Sequence, residues 1–281
     1  MMDLIDVVRE FATVSFNNPL AEDPTETVVM GKVSPFNEVT NSGSAAQRRI
    51  IETPPDQIVP EERILQLPSG QIFIVGHGSE DYWDTKVIRI KYPALPTDTK
   101  GSYGTIGSIL AEEELKELFV VPHFVRRDTD EKVRSDYLAS YQLQFSSFNT
   151  MNKGEVLVWK GKYFRVRMDS SIDTAGFGIS ESLLLEDPIS TITVTPEGDF
   201  DPVTETMSGG EPKEIKVFTE EIGEDYIHEH PAFTKPKAGD KAISVLKSDM
   251  VPTIGTDLGE YKVLSIEDRG DFTTCHCRSG Y

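Results

Sequence analysis

The sequence has little cysteine, little positive charge and no long apolar run, and each shortage removes a class of protein. Its 281 residues contain two cysteines, Cys275 and Cys277, one residue apart. A bridge between such close neighbours in one short strand is geometrically poor, so no disulfide framework is expected and the chain suits a reducing compartment of synthesis. No stretch approaches the ~18 apolar residues of a membrane-crossing helix. The opening Met1-Met-Asp-Leu-Ile-Asp is acidic where a signal peptide is basic. The expectation is a protein that neither spans a membrane nor is exported by a signal peptide.

Lysine and arginine number 28 against 47 aspartates and glutamates, a formal net charge of -19. Such a surface repels phosphate backbones and argues against specific nucleic-acid binding. It fits two readings: plain solubility, or the lining of a conduit through which DNA slides without sticking. Catalytic signatures are also missing. There is no Gly-x-Ser-x-Gly, no Gly-x4-Gly-Lys-Ser/Thr and no dinucleotide fingerprint. The five histidines (His77, His123, His228, His230 and His276) sit in no nucleophile-like context. The expectation is no enzyme and no cofactor, with a carboxylate-pair hydrolase as an open alternative.

What remains is 38% hydrophobic residues with 17 prolines and 21 glycines, the composition of a turn-rich protein with many short strands. The predicted fold class is mainly β: tandem small β-barrel or β-sandwich modules with one or two short helices and long extended loops. The clearest hairpin is Val156-Leu-Val-Trp159, a Lys160-Gly161 turn, then Lys162-Tyr-Phe-Arg-Val166. Alternation puts Tyr163, Arg165 and Arg167 on one face and Phe164, Val166 and Met168 on the other. A kernel of glycine, a polar residue, Ile or Tyr, two variable positions and Val or Leu recurs at Gly70 to Val75, Gly161 to Val166 and Gly259 to Leu264. It suggests a structural repeat.

In chain order we expect an N-terminal helix or arm over 1–24, with helical spacing in 3–16, and a first β module with a long loop over 25–96. A helix plus a central β module follows over 97–195, then an acidic linker over 196–212 and a C-terminal β module over 213–281. The helix is placed at 108–119, where Leu110, Ala111, Leu115, Leu118 and Phe119 share a face. Gly76 to Trp83 reads as a turn. Residues 137–148 fit either period and are read as a strand.

Candidate site residues are few. His228 and His230, with Cys275 and Cys277, form two i, i+2 pairs that as strand residues offer four zinc ligands, though structural zinc sites usually use Cys-x2-Cys. The competing reading makes them loop histidines and small strand cysteines. The scarce cations Arg126, Arg127, Lys162, Arg165 and Arg167 are expected to meet acidic neighbours at interfaces. Trp83 and Trp159, both beside turns, are core edges or interface anchors.

The stretch Ala238-Gly239-Asp240-Lys-Ala-Ile-Ser-Val-Leu, followed by Val251-Pro-Thr-Ile-Gly255-Thr-Asp-Leu-Gly259-Glu-Tyr261-Lys-Val263-Leu, resembles the small β-barrels of tailed-bacteriophage neck proteins. In that head-completion, stopper and adaptor group a Gly-Asp precedes one strand and a Gly-x-Tyr-x-Val strand follows. Lys153-Gly154-Glu155 through Tyr163 to Val166 is similar, while residues 1–60 show no likeness. The resemblance implies a structural virion protein, made in the host cytoplasm, that assembles as a ring in the neck or head-tail connector around the DNA passage. Its implied partners are further copies of itself and other virion proteins such as portal, adaptor or tail proteins, with no catalytic residues to carry over. The alternative from another class is a β-rich, tail-associated receptor or glycan binder, in which Tyr82, Trp83 and Trp159 would line a sugar platform.

Overall fold

The structure, a computed structural model, describes residues 12–16, 27–35, 49–57, 59, 64–67, 70–97, 99–124, 140–146, 150–195, 200–201, 206–207, 210–222, 237 and 239–279. Its first seven strands are β1 (Ala12–Phe16), β2 (Thr27–Pro35), β3 (Arg49–Thr53), β4 (Ile64–Gln66), β5 (Ile72–Val75), β6 (Ser79–Trp83) and β7 (Lys86–Thr97). They pair antiparallel in the circular order β1-β2-β3-β7-β5-β4 and back to β1. The sheet therefore closes into a six-stranded barrel, and β6 forms a hairpin on the first part of β7. Closure removes the free edges that would otherwise invite pairing with other chains. Alternation sends Ile51, Leu65, Phe73, Val75, Tyr92 and Ala94 into the barrel.

The next seven strands are β8 (Lys100–Gly104), β9 (Lys116–Phe124), β10 (Ser140–Ser146), β11 (Val156–Trp159), β12 (Lys162–Val166), β13 (Ser171–Ile172) and β14 (Phe177–Leu185). Their order is β8-β9-β10-β14-β12-β11 and back to β8, with β13 on β14. Strand for strand this is the connectivity of the first barrel. Lys160 and Gly161 both have positive φ, 50° and 72°, as a two-residue turn matching strand twist requires. The interior is filled by Tyr103, Leu118, Leu143, Phe145, Leu157, Phe164 and Val166.

A third sheet is built from β15 (Ile189–Val194), β18 (Lys213–Glu221), β19 (Lys241–Leu246), β20 (Asp257–Leu258), β21 (Tyr261–Asp268) and β22 (Phe272–Ser279), with β16 (Phe200–Asp201) and β17 (Thr206–Met207) as a separate small hairpin. Its order β15-β18-β19-β22-β21-β20 repeats the same succession without the sixth strand. Among the described residues it also lacks the ladder that joins first to fourth strand in the barrels. The two ends do approach, since a Cβ added at Gly259 would lie 3.7 Å from Ile192. Ile215, Val217, Ile243, Val245, Val263, Cys275 and Cys277 fill this core.

The chain divides into two compact units, residues 1–103 with 116–184 and residues 104–115 with 185–281. The first unit holds both closed barrels. Ile64, Ile74 and Leu95 on the outside of the first pack against Phe119, Val121 and Phe177 on the outside of the second. The second unit holds the third sheet and, among the described residues, one helix, α1 (Ile106–Leu110). Thr105 caps α1 by accepting from the Ser108 N–H at 3.0 Å, and Ile106, Ile109 and Leu110 are buried.

Four expectations need correction. The helix over 108–119 is only α1, which ends at Leu110, and Lys116–Phe124 is strand β9. Burial on both faces of β9, with Leu118 and Val120 inside and Phe119 and Val121 in the barrel contact, replaces alternation by a continuous apolar run. The N-terminal helix expected over 3–16 is at Ala12–Phe16 a strand, β1, held by β2 and β4; residues 1–11 lie outside the described residues. The turn over Gly76 to Trp83 is confined to its first residues, since Ser79–Trp83 is strand β6. The acidic stretch 196–212 contains the β16–β17 hairpin.

Candidate interaction surface

Tyr82, Trp83 and Ile88 are large apolar side chains on the β6–β7 hairpin, exposed at 57%, 75% and 45%. The hairpin extends past the barrel because β3 pairs with β7 only from Ile90 onward, leaving Lys86–Arg89 to β6. Asp81 lies opposite Arg89 and Tyr82 opposite Val87, so Ile88 is an extra residue bulged out of β7. The stem is pinned by ion pairs: Asp81 to Arg89 at 2.7 Å and to Lys91 at 2.9 Å, with Arg89 reaching Glu52 at 3.2 Å. Hydrogen bonds from Lys91 and Arg89 hold the Asp81 carboxyl below its ordinary pKa. Nearer the tip the Tyr82 hydroxyl donates to Glu80, which raises the phenol's pKa.

The tip is strained. Asp84 and Thr85 both have positive φ, 47° and 72°, where such turns favour glycine at the second position and a β-branched residue is disfavoured. A stiffened stem thus presents a Trp beside a turn that local propensity does not explain.

The two tryptophans have different roles. Trp159 is half-buried against Phe164, its ring 6.0 Å away, and its Nε1–H donates to Thr99 Oγ1 at 3.1 Å. Lys160 lies 4.8 Å over its face. It is the edge of the second barrel's core, whereas Trp83 is exposed at the hairpin tip. Of the predicted cations, Lys162 is exposed and Arg165 and Arg167 are half-buried on or just beyond β12. The structure thus brings Lys162, Arg165 and Arg167 onto one hairpin, ending beside Met168, which is 56% exposed. Arg126 and Arg127 lie outside the described residues.

Sequence reasoning placed a Gly-Asp before a strand without seeing its purpose. Asp240 begins the approach to β19 and is 3% exposed. Its carboxylate accepts from Arg278 Nε and Nη2 at 2.8 Å each and from the Lys237 N–H at 2.8 Å, and lies 3.0 Å from His276 Nε2. Burial alone would raise its pKa, but the bonds from Arg278, Lys237 and His276 outweigh that and lower it to about 2. The cluster fastens the start of β19 to the end of β22. Its partners are 36 and 38 residues away in sequence, beyond any local signal.

The zinc expectation finds its cysteines in the core. Cys275 and Cys277 are fully buried and both face the interior of the third sheet, with His276 on the opposite face against Asp240. The hydrogen bond with Cys275 and burial raise the Cys277 thiol's pKa, away from the thiolate that binds metal. Among the described residues no group of three His, Cys, Asp or Glu side chains is placed to hold a metal ion. His228 and His230 lie outside the described residues. Comparison with family models, curated proteins and solved structures finds no match to this chain.

Proposed function

We propose that this chain is a structural protein that acts by assembly, as a ring component of a tailed-phage neck or head-tail connector. The observation that carries this reading is the tandem repetition of one barrel topology, with two copies already packed side to side through an apolar face. A chain built this way buries barrel against barrel as its ordinary contact. The acidic surface suits a passage for DNA, and the resemblance of the Gly239-Asp240 and Gly259-to-Val263 region to neck barrels supplies the setting. Its partners would be further copies of itself and the portal, adaptor or tail proteins on either side. Negative-stain microscopy of the purified chain, alone and with such partners, tests the reading. Closed rings support it, and particles of single chains under all those conditions oppose it.

One observation favours a second reading. Trp83 stands 75% exposed at the hairpin tip, as a sugar-stacking ring would, although its strand neighbour Tyr82 alternates to the opposite face and Trp159, packed on Phe164, could not join it. Glycan-array binding that disappears in Trp83→Ala would favour this reading over assembly.

A further inference from the structure

The two barrels of the first unit meet through a contact that the repeat allows to be transposed. Gly76, just past the end of β5, donates its N–H to Pro93 O at 2.7 Å, and the next residue, His77, donates to Ala175 O at 2.5 Å. Ala175 lies in the short turn between β13 and β14 of the second barrel. The fit is close enough that a Cβ on Gly76 would lie 2.1 Å from the Ala175 oxygen. The turn before the seventh strand of one barrel therefore sits on the end of the fifth strand of its neighbour.

Each half of this contact has a counterpart. Arg167, just past the end of β12, donates its N–H to Glu181 O at 2.9 Å, as Gly76 does to Pro93. Arg167 and Met168 are therefore the second barrel's equivalents of Gly76 and His77. The counterpart of the β13–β14 turn is the β6–β7 hairpin, since Ser171 pairs with Ile179 and Ser79 with Lys91. The first hairpin is the longer of the two and carries Tyr82, Trp83 and Ile88 in the open.

We propose that the β6–β7 hairpin docks on the second barrel of another copy of this chain, at Arg167 and Met168, as the β13–β14 turn docks on Gly76 and His77 within the chain. This rests on the assembly reading and names its contact. The chemistry matches across the joint. The hairpin tip offers Trp83 with the carboxylate of Asp84, and the acceptor offers Arg167 and the exposed thioether of Met168. Cation on aromatic, sulfur on aromatic and cation on carboxylate are each favourable there. On a chain of net charge -19, most other pairs of surfaces would repel. The hairpin and its acceptor are different surfaces, so the contact is head-to-tail and closes into a ring when the rotation per subunit permits.

The test mixes two full-length variants, Lys86→Cys on the hairpin and Met168→Cys on the acceptor, with a short bifunctional maleimide. Cys275 and Cys277 are buried and stay silent, as the unsubstituted chain would verify. A cross-linked dimer in the mixture, absent from either variant alone, is expected, together with loss of the oligomer in Trp83→Ala at an unchanged far-UV circular dichroism spectrum. An oligomer that persists in Trp83→Ala with no cross-link overturns this contact and leaves assembly standing. An unsubstituted chain that is monomeric throughout overturns both.

Discussion

Phe73 and Phe164 are counterparts. Each sits at 1% exposure inside its own barrel, directly across a hairpin from a leucine, Leu65 for Phe73 and Leu157 for Phe164. The recurring glycine kernel put them in register, Gly70 and Gly161 each standing three residues before the phenylalanine. In the third copy the kernel marks the same hairpin but slips by one. Tyr261 and Val263 face inward there and Leu264 is exposed, because the turn is Gly259-Glu260 and a one-residue shift exchanges the faces of a strand.

The barrel-barrel joint makes Gly76 intolerant of a side chain. Gly76→Ala puts a methyl where the Ala175 carbonyl stands and where Pro93 Cγ would be 2.9 Å away. Backbone must move to relieve it. A loss of about 1–3 kcal/mol, measured by urea unfolding, is expected. Gly70→Ala, with nothing within 4 Å of its added Cβ, would show only the smaller cost of its positive φ.

The Asp240 cluster gives stability a definite acid limb. Its carboxyl titrates near 2 in the folded chain against an ordinary 3.8, so the folded state favours the ionised form. The contribution is fully present above the ordinary value and is lost as pH falls from about 4 toward 2. A shift of this size corresponds to roughly 2 kcal/mol. Asp240→Asn is expected to lower stability at neutral pH by roughly that amount and to flatten the decline in this window. Melting curves across the window, compared with the unsubstituted chain, check both.

Thr85 is the reverse case, where a substitution should stabilise. At φ 72° a β-branched side chain is strained, and Thr85→Gly removes that strain from the hairpin tip. A gain of about 0.5–1 kcal/mol in thermal unfolding is expected. Cross-linking through Lys86→Cys should survive the change, because Trp83 and the paired stem are untouched.

Cys275 and Cys277 are expected to resist an aromatic disulfide reagent in the folded chain and to react fully in denaturant, since both are buried in the third sheet's interior. A chelator should leave the melting temperature where it was. A fall in melting temperature on chelation would restore the zinc site that these two residues suggested.

The strands were legible wherever one face is buried and the other wet, as in β12 with Phe164 and Val166 inside and Arg165 outside. They were illegible where that contrast fails. β9 is covered on both sides and mimicked a helix, while β6 has no buried face and mimicked a turn. Barrel closure, β4 on β1 and β14 on β10, joins segments far apart in sequence, and no local pattern reports it. Of the candidate site, the exposed Trp83 and the cations of β12 were visible as residue types. No local pattern reports the docking of the β13–β14 turn on Gly76 and His77, from which the proposed pairing of the two is argued.

Self-assembly is the central claim, and mass photometry of the purified full-length chain and Trp83→Ala tests it most directly. A discrete oligomer for the unsubstituted chain, reduced to single chains by Trp83→Ala, is the expected result. Single chains for both proteins, alone and with portal, adaptor or tail proteins added, would contradict it.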